Sequence, residues 1–98
     1  MTFRLSFTTG GMNDLMGLRS NPALSKRRKA VESALGKLQS NPRYPGLNTH
    51  KFDDMSGPNG EDVFEAYAEN NTPGAYRIFW VYGPGKDVIT IIAITPHP

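Results

Sequence analysis

The 98-residue sequence contains no cysteine, which excludes a disulfide framework and any metal site built from thiolates. It has no run approaching the ~20 apolar residues that a membrane-spanning helix needs. Residues 1–7 alternate between apolar and polar side chains, and they are too short and too polar for a secretion signal. These absences predict a cytoplasmic protein that does not act in a membrane.

The length allows one hydrophobic core and is too short for two. Only 38% of the residues are apolar, but they cluster in periodic runs, which predicts a folded chain rather than a disordered one. We therefore expect one domain over residues 1–98.

Charge is distributed unevenly along the chain. Residues 1–51 carry nine Lys and Arg against two Asp and Glu, whereas residues 52–98 carry two against seven. The basic residues are densest at Lys26-Arg27-Arg28-Lys29. A basic surface of this kind attracts phosphate backbones, and a solvent-facing side of a helix is the alternative interpretation.

The first half of the chain predicts one strand and two helices. Alternating apolar residues indicate a strand over residues 3–7, which Thr8-Thr9-Gly10-Gly11 should interrupt. A short helix can follow over residues 12–19. Asn21 is a good N-cap for a second, longer helix, which should run to about Ser40 because Asn41-Pro42 disfavours helical backbone.

The second half predicts a meander of three or four antiparallel strands separated by turns rich in Gly, Pro and Asn. Its strands are expected at Thr49 to Met55, Asp62 to Glu69, Ala75 to Tyr82 and Asp87 to Thr95. The last of these is nearly all apolar and should be buried on both faces. The predicted fold is α+β, a strand–helix–helix unit followed by a curled antiparallel meander, with the helices on one sheet face.

Several segments in this order resemble the RelE/ParE toxin superfamily over about residues 1–97. They are Leu38-Gln39-Ser40-Asn41-Pro42, Leu47, His50-Lys51, Val63-Phe64-Glu65-Ala66-Tyr67, Ala75-Tyr76-Arg77-Ile78-Phe79-Trp80, the strand Val88 to Thr95, and His97. Tyr76-Arg77-Ile78, in the strand before the last hairpin, is the most telling of them.

The resemblance implies the toxin of a toxin–antitoxin pair, bound by a cognate antitoxin that wraps it. Members of the RelE branch, which we favour, are ribosome-dependent mRNA endonucleases, whereas the ParE branch poisons DNA gyrase. Fold alone does not choose between them. A non-catalytic interaction domain of the same fold is a third hypothesis. No cofactor is expected, and both a homodimer and a toxin–antitoxin hetero-oligomer are compatible with the resemblance.

Metal-independent RNA cleavage by 2′-hydroxyl attack needs a base, an acid and a cation that stabilises charge on the phosphate. Arg77 suits the last role because its guanidinium offers a planar fork to phosphate oxygens. It shares a strand face with Phe79 and Val81. Its alternative role is to pair with Glu65 or Glu69 of the neighbouring strand.

The resemblance implies further basic groups at three positions. His97 lies just past the last strand, where the family often places a catalytic residue, although it could instead be a frayed end. His50 and Lys51 lie where the family places groups for the RNA backbone or for proton transfer. Glu65 and Tyr67 could supply a carboxylate or a hydroxyl, or be ordinary sheet residues.

An apolar stripe on the short helix offers a docking surface for an antitoxin segment. It is formed by Met12, Leu15 and Met16. Burial of these side chains in the core is the alternative interpretation.

Overall fold

The computed structural model describes residues 2–97, so Met1 and Pro98, the two ends of the predicted domain, lie outside the described residues. The elements are β1 (Arg4–Phe7), α1 (Thr9–Arg19), a 3-10 turn (Pro22–Leu24), α2 (Ser25–Ser40), β2 (His50–Ser56), β3 (Asp62–Tyr67), β4 (Tyr76–Tyr82) and β5 (Val88–Pro96). The α+β class is confirmed, with the strand, the helices and the later strands in the predicted order.

The five strands form one sheet in the order β1-β5-β4-β3-β2. Strands β2 to β5 pair antiparallel as a meander, which was predicted. Strand β1 pairs in parallel with β5, from Arg4 opposite Val88 to Phe7 opposite Ile91. The sheet is therefore mixed. The sequence indicated β1 as a strand but did not indicate its partner.

Helix α1 begins at Thr9, earlier than predicted, so the expected break at residues 8–11 is wrong. The Thr8 side chain caps the helix by accepting a hydrogen bond of 3.0 Å from the N–H of Gly11. A Cβ atom on Gly11 would overlap the carbonyl group of Ile91. Because the helix passes directly against β5, this position has no room for a side chain.

Helix α2 follows its prediction at the C-terminal end but not at the start. The Asn21 side chain accepts a hydrogen bond of 3.0 Å from the N–H of Ala23, and it thereby caps a 3-10 turn rather than the helix itself. The regular helix then runs from Ser25 to Ser40. Its buried residues recur at helical spacing and are Val31, Ala34, Leu35 and Leu38.

Glu32 connects the two helices and accounts for part of the basic segment. It accepts hydrogen bonds from Arg19 and Arg28, at 3.0 Å and 2.8 Å. The bond from Arg19 contributes most to lowering the pKa of Glu32 below its ordinary value. Of the basic segment, Arg27 and Arg28 are half-buried and paired, whereas Lys26 and Lys29 are exposed.

A β-bulge at Ile92 shifts the register between β4 and β5, because Phe79 lies opposite Ala93 while Trp80 lies opposite Ile91. Beyond Ile91, strand β1 no longer covers the edge of β5. The Asp14 side chain of α1 accepts a hydrogen bond of 2.9 Å from the N–H of Ile94 there. Helix α1 thus replaces β1 along the second half of this edge.

The main core lies between the helices and one face of the sheet, as predicted. Its largest fully buried members are Trp80, Leu38, Leu47, Ile78, Ile89, Ile91 and Val31. The opposite face, called the open sheet face below, carries a smaller apolar cluster of Val63, Phe79 and Val81. Among residues 2–97, no helix combines the length and the apolar character needed to cross a bilayer.

Candidate active site

Polar side chains from three strands, β2, β3 and β4, and from the residue after β5 meet on the open sheet face. In the sheet register, His50 lies opposite Glu65, and Tyr67 lies opposite Arg77. Because side chains two residues apart in a strand share a face, Glu65 and Tyr67 lie side by side. His97 follows β5 and joins them. These five residues, His50, Glu65, Tyr67, Arg77 and His97, are called the polar cluster below.

Glu65 is the centre of the polar cluster and is only 3% exposed. Its Oε1 atom lies 2.7 Å from Nε2 of His50. Its Oε2 atom lies 3.7 Å from Nε of Arg77 and 4.0 Å from Nδ1 of His97. Three side chains that can carry positive charge therefore surround one buried carboxylate.

Arg77 is buried, at 6% exposure, and lies on the face opposite the helices. Its Nη1 donates a hydrogen bond of 2.7 Å to the carbonyl oxygen of Glu69. Its guanidinium lies 3.6 Å from the centre of the Tyr67 ring, a cation–π contact. Of the two alternative partners, Glu65 faces Arg77 with its carboxylate, whereas Glu69 contributes only its backbone carbonyl.

The facing atoms of Arg77 and Glu65 are not fully satisfied. Nε of Arg77 and Oε2 of Glu65 are buried, and neither makes a hydrogen bond within the described part of the chain. Their separation of 3.7 Å is too long for a direct hydrogen bond. Buried polar atoms without partners are uncommon, and here they lie beside two histidines.

His50 contacts acceptor oxygens with both ring nitrogens. Its Nδ1 lies 2.7 Å from the carbonyl oxygen of Asn48, and its Nε2 lies 2.7 Å from Glu65. A carbonyl only accepts hydrogen bonds, as does a charged carboxylate. The two contacts together therefore need a proton on each nitrogen, or a proton shared with Glu65.

His97 is fixed by its backbone, since its N–H donates a hydrogen bond of 2.7 Å to the carbonyl oxygen of Ala75. Its side chain is 53% exposed. Together with Arg77, Tyr67 and the loop between β3 and β4, it lines a cavity of about 660 Å³. The side chains of Arg77 and His97 therefore open on the same cavity, with Glu65 between them.

Lys51 does not join the polar cluster. It follows His50 directly and lies opposite Phe64, so it points to the other face of the sheet. Its Nζ lies 3.5 Å from Asp62 and 3.7 Å from Asp53. The structure thus brings together three of the four residues that the resemblance indicated, and it separates Lys51 from them.

Glu65 and the two histidines are residue types that bind metals. Within residues 2–97, however, no group of three or more His, Asp or Glu side chains has an arrangement that could hold a metal ion. The arrangement is instead that of a cation, two imidazoles and a shared carboxylate, which can bind a phosphate and move protons.

No protein-family model matches the sequence, and no curated protein gives a significant match. Solved structures do match over nearly the full length. A YoeB dimer from Staphylococcus aureus is 14% identical, with 100% of this chain and 100% of that chain covered and a TM-score of 0.69. A YoeB/ParE toxin from Agrobacterium tumefaciens is 8% identical, with 98% of this chain and 100% of that chain covered and a TM-score of 0.70.

An archaeal RelE–RelB complex from Pyrococcus horikoshii also matches, with 19% identity and a TM-score of 0.64. The match covers 98% of this chain and 96% of that chain. At such identities the similarity is one of fold. The chain therefore has the fold of the RelE/ParE toxin superfamily.

Proposed function

We propose that this chain, folded as one domain over residues 1–98, is the toxin of a toxin–antitoxin pair and acts in the cytoplasm. The fold supports this proposal, because the structures it resembles include a RelE–RelB complex and a YoeB–YefM complex. We further propose that it cleaves mRNA on the ribosome, without a metal ion or other cofactor, at the polar cluster.

The observation that carries the nuclease proposal is the convergence of two histidines and an arginine on buried Glu65. A phosphodiester placed in the cavity would meet Arg77, which offsets negative charge as it grows on the phosphoryl oxygens. The Glu65 carboxylate would keep His50 and Arg77 in place, much as the carboxylate of a catalytic triad holds its histidine.

The two histidines differ in their exposure and in their contacts, and this suggests their roles. His97 is the more exposed and would take the proton from the 2′-hydroxyl. The 2′-oxygen then bonds to phosphorus, and the bond from phosphorus to the 5′-oxygen breaks. His50, whose contacts require the extra proton, would give that proton to the leaving oxygen. The products are a 2′,3′-cyclic phosphate and a free 5′-hydroxyl.

The proposed antitoxin contact lies on α1, away from the polar cluster. Met12 and Met16 are 38% and 48% exposed, whereas Leu15 is buried. The surface available to a partner therefore consists of Met16 and of a groove that Met12 lines together with half-buried Leu5 and Phe7. A YoeB dimer among the similar structures also supports a homodimer as a possible assembly.

The test is expression in bacteria without an antitoxin, followed by mapping of mRNA ends. We expect growth arrest and cuts that leave 5′-hydroxyl ends within translated mRNA. His97→Gln and His50→Gln should each lower cleavage by ~10²-fold or more, the usual contribution of a general acid or base. Lys51→Gln is the matched control, since Lys51 neighbours His50 but faces away, and it should retain most of the activity.

Circular dichroism of each variant separates lost chemistry from lost folding. Normal growth with well-expressed wild-type protein would contradict the proposal. DNA damage with intact mRNA would favour the gyrase-directed alternative. An unchanged phenotype in His97→Gln, His50→Gln and Arg77→Ala would favour the non-catalytic interaction domain.

A further inference from the structure

Arg27 lies on α2, outside the polar cluster, but contacts the loop between β3 and β4. Its Nη1 donates to Oε1 of Glu69 at 3.0 Å and to the carbonyl oxygen of Gly74 at 2.7 Å. Its Nη2 donates to the carbonyl oxygen of Pro73 at 3.1 Å. One guanidinium thus joins the helical layer to both ends of this loop, which is called the β3–β4 loop (residues 68–75) below.

Glu69 lies between Arg27 and the candidate active site. Its Oε1 accepts hydrogen bonds from Arg27 and, at 3.1 Å, from the N–H of Tyr76. Its backbone carbonyl accepts the 2.7 Å hydrogen bond from Arg77. The carboxylate therefore ties Glu69 to α2 and to the start of β4, while its carbonyl holds the guanidinium of Arg77.

The β3–β4 loop also forms one side of the cavity that Arg77 and His97 line. Residues 70–74 are exposed, and Asn71 and Gly74 have positive φ angles of 55° and 65°. Backbone hydrogen bonds from the N–H groups of Ala68 and Glu69 to the carbonyl oxygen of Tyr76 close the base of the loop, and one of 3.0 Å from the N–H of Ala75 to the carbonyl oxygen of Thr72 lies within it. The hydrogen bonds from Arg27 add a contact between this loop and α2.

We propose that Arg27 is a positioning residue of the RNA site: through Glu69 and the loop carbonyls it fixes both the Arg77 guanidinium and one side of the cavity. The inference rests on the proposed function. The three hydrogen bonds use the planar fork of a guanidinium, which the single ammonium of a lysine does not reproduce. The contribution of Arg27 to RNA binding should therefore depend on the shape of its guanidinium and not on its charge.

The test measures binding of a short single-stranded RNA in which fluorine replaces every 2′-hydroxyl, so that cleavage cannot occur. Arg27→Gln and Arg27→Lys should both weaken binding by about tenfold, in line with the loss of charge-assisted hydrogen bonds. Arg28→Gln is the matched control, because Arg28 is the next residue on α2 and pairs with Glu32 away from the cavity. It should bind within about twofold of wild type, as expected for a half-buried ion pair at the protein surface.

Hydrogen exchange gives a readout that does not need RNA. The amide of Tyr76, which donates to Glu69, should exchange at least tenfold faster in both Arg27 variants and at the wild-type rate in Arg28→Gln. Wild-type affinity in Arg27→Lys, or unchanged Tyr76 exchange, would overturn the inference. A wild-type protein that does not bind RNA would instead contradict the proposed function.

Discussion

Glu65 is a buried carboxylate in contact with a buried guanidinium, and each of them is costly to remove from water. The side chains of Glu65 and Arg77 are 4% and 8% exposed. Removing one partner of such a pair leaves an uncompensated charge in the interior, which destabilises proteins more than removal of both partners. The polar cluster should therefore contribute to stability as a unit.

We expect Glu65→Ala and Arg77→Ala each to lower the free energy of unfolding by about 3 kcal/mol, and the double variant to lower it by clearly less than their sum. Urea denaturation measures all three. The corresponding cycle on the half-buried surface pair Arg28 and Glu32 should show no coupling of that size. Additive effects of Glu65→Ala and Arg77→Ala would mean that the two charges do not interact.

The face on which a strand residue lies could be predicted from the sequence, but its neighbours on other strands could not. Alternation correctly placed Arg77 with Phe79 and Val81. The same rule separates His50 from Lys51, yet the resemblance treated them together. The sequence indicates Glu65 only as one of several sheet residues. Its place between the two histidines depends on the register of β2, β3 and β5, which no local pattern gives.

Helix α1 shows how a tertiary contact overrides local sequence preference. Two consecutive glycines predict a break, and the structure instead has both of them in the first turn of the helix. Gly11 lies directly against the backbone of β5, whereas Gly17 of the same helix has no other group within 4 Å of the place where its Cβ atom would lie. The two glycines should therefore respond in opposite ways to the same substitution.

We expect Gly11→Ala to destabilise the protein by about 2 kcal/mol, because the backbone of β5 must move to admit a methyl group. Gly17→Ala should stabilise it by about 0.5–1 kcal/mol, since alanine is the better helix former. Thermal or urea unfolding of both variants checks this. A stabilising Gly11→Ala would show that α1 does not pack closely on β5.

Most elements could be predicted because their signals are local. The end of α2 at Ser40 followed from Asn41-Pro42, and the four meander strands followed from alternation and turn residues. The parallel pairing of β1 with β5 and the bulge at Ile92 join parts of the chain that are far apart in sequence. Such pairings depend on the whole fold, so no short segment indicates them.

Over the whole molecule, the two lysines of the basic segment belong to the helical layer, whereas the polar cluster belongs to the open sheet face. Residues 26–29 belong to α2, which packs on the helix side of the sheet, whereas Arg77 and His97 belong to the open sheet face. Lys26 and Lys29 are exposed. An RNA held in the cavity therefore need not touch these two lysines, which are available to a different contact.

We expect the double variant Lys26→Gln/Lys29→Gln to bind the fluorinated RNA with the same dependence on salt concentration as wild type. Each phosphate contact changes the slope of log affinity against log salt by about 0.7 for a single strand. Titrations at several KCl concentrations give the slope. A decrease of about 1.4 in its magnitude would mean that the RNA continues across the helical layer.

The position of β5 in the sheet has a consequence for synthesis on the ribosome. This strand lies between β1 and β4 and comes last among the described elements, yet the earliest strand has no other partner in the sheet. While residues 88–97 are still being translated, β1 lacks its partner strand, α1 lacks the strand against which it packs most extensively, and His97 has not been made. The edge of the sheet and the candidate site of the nascent protein therefore stay incomplete until this stretch has emerged from the ribosome.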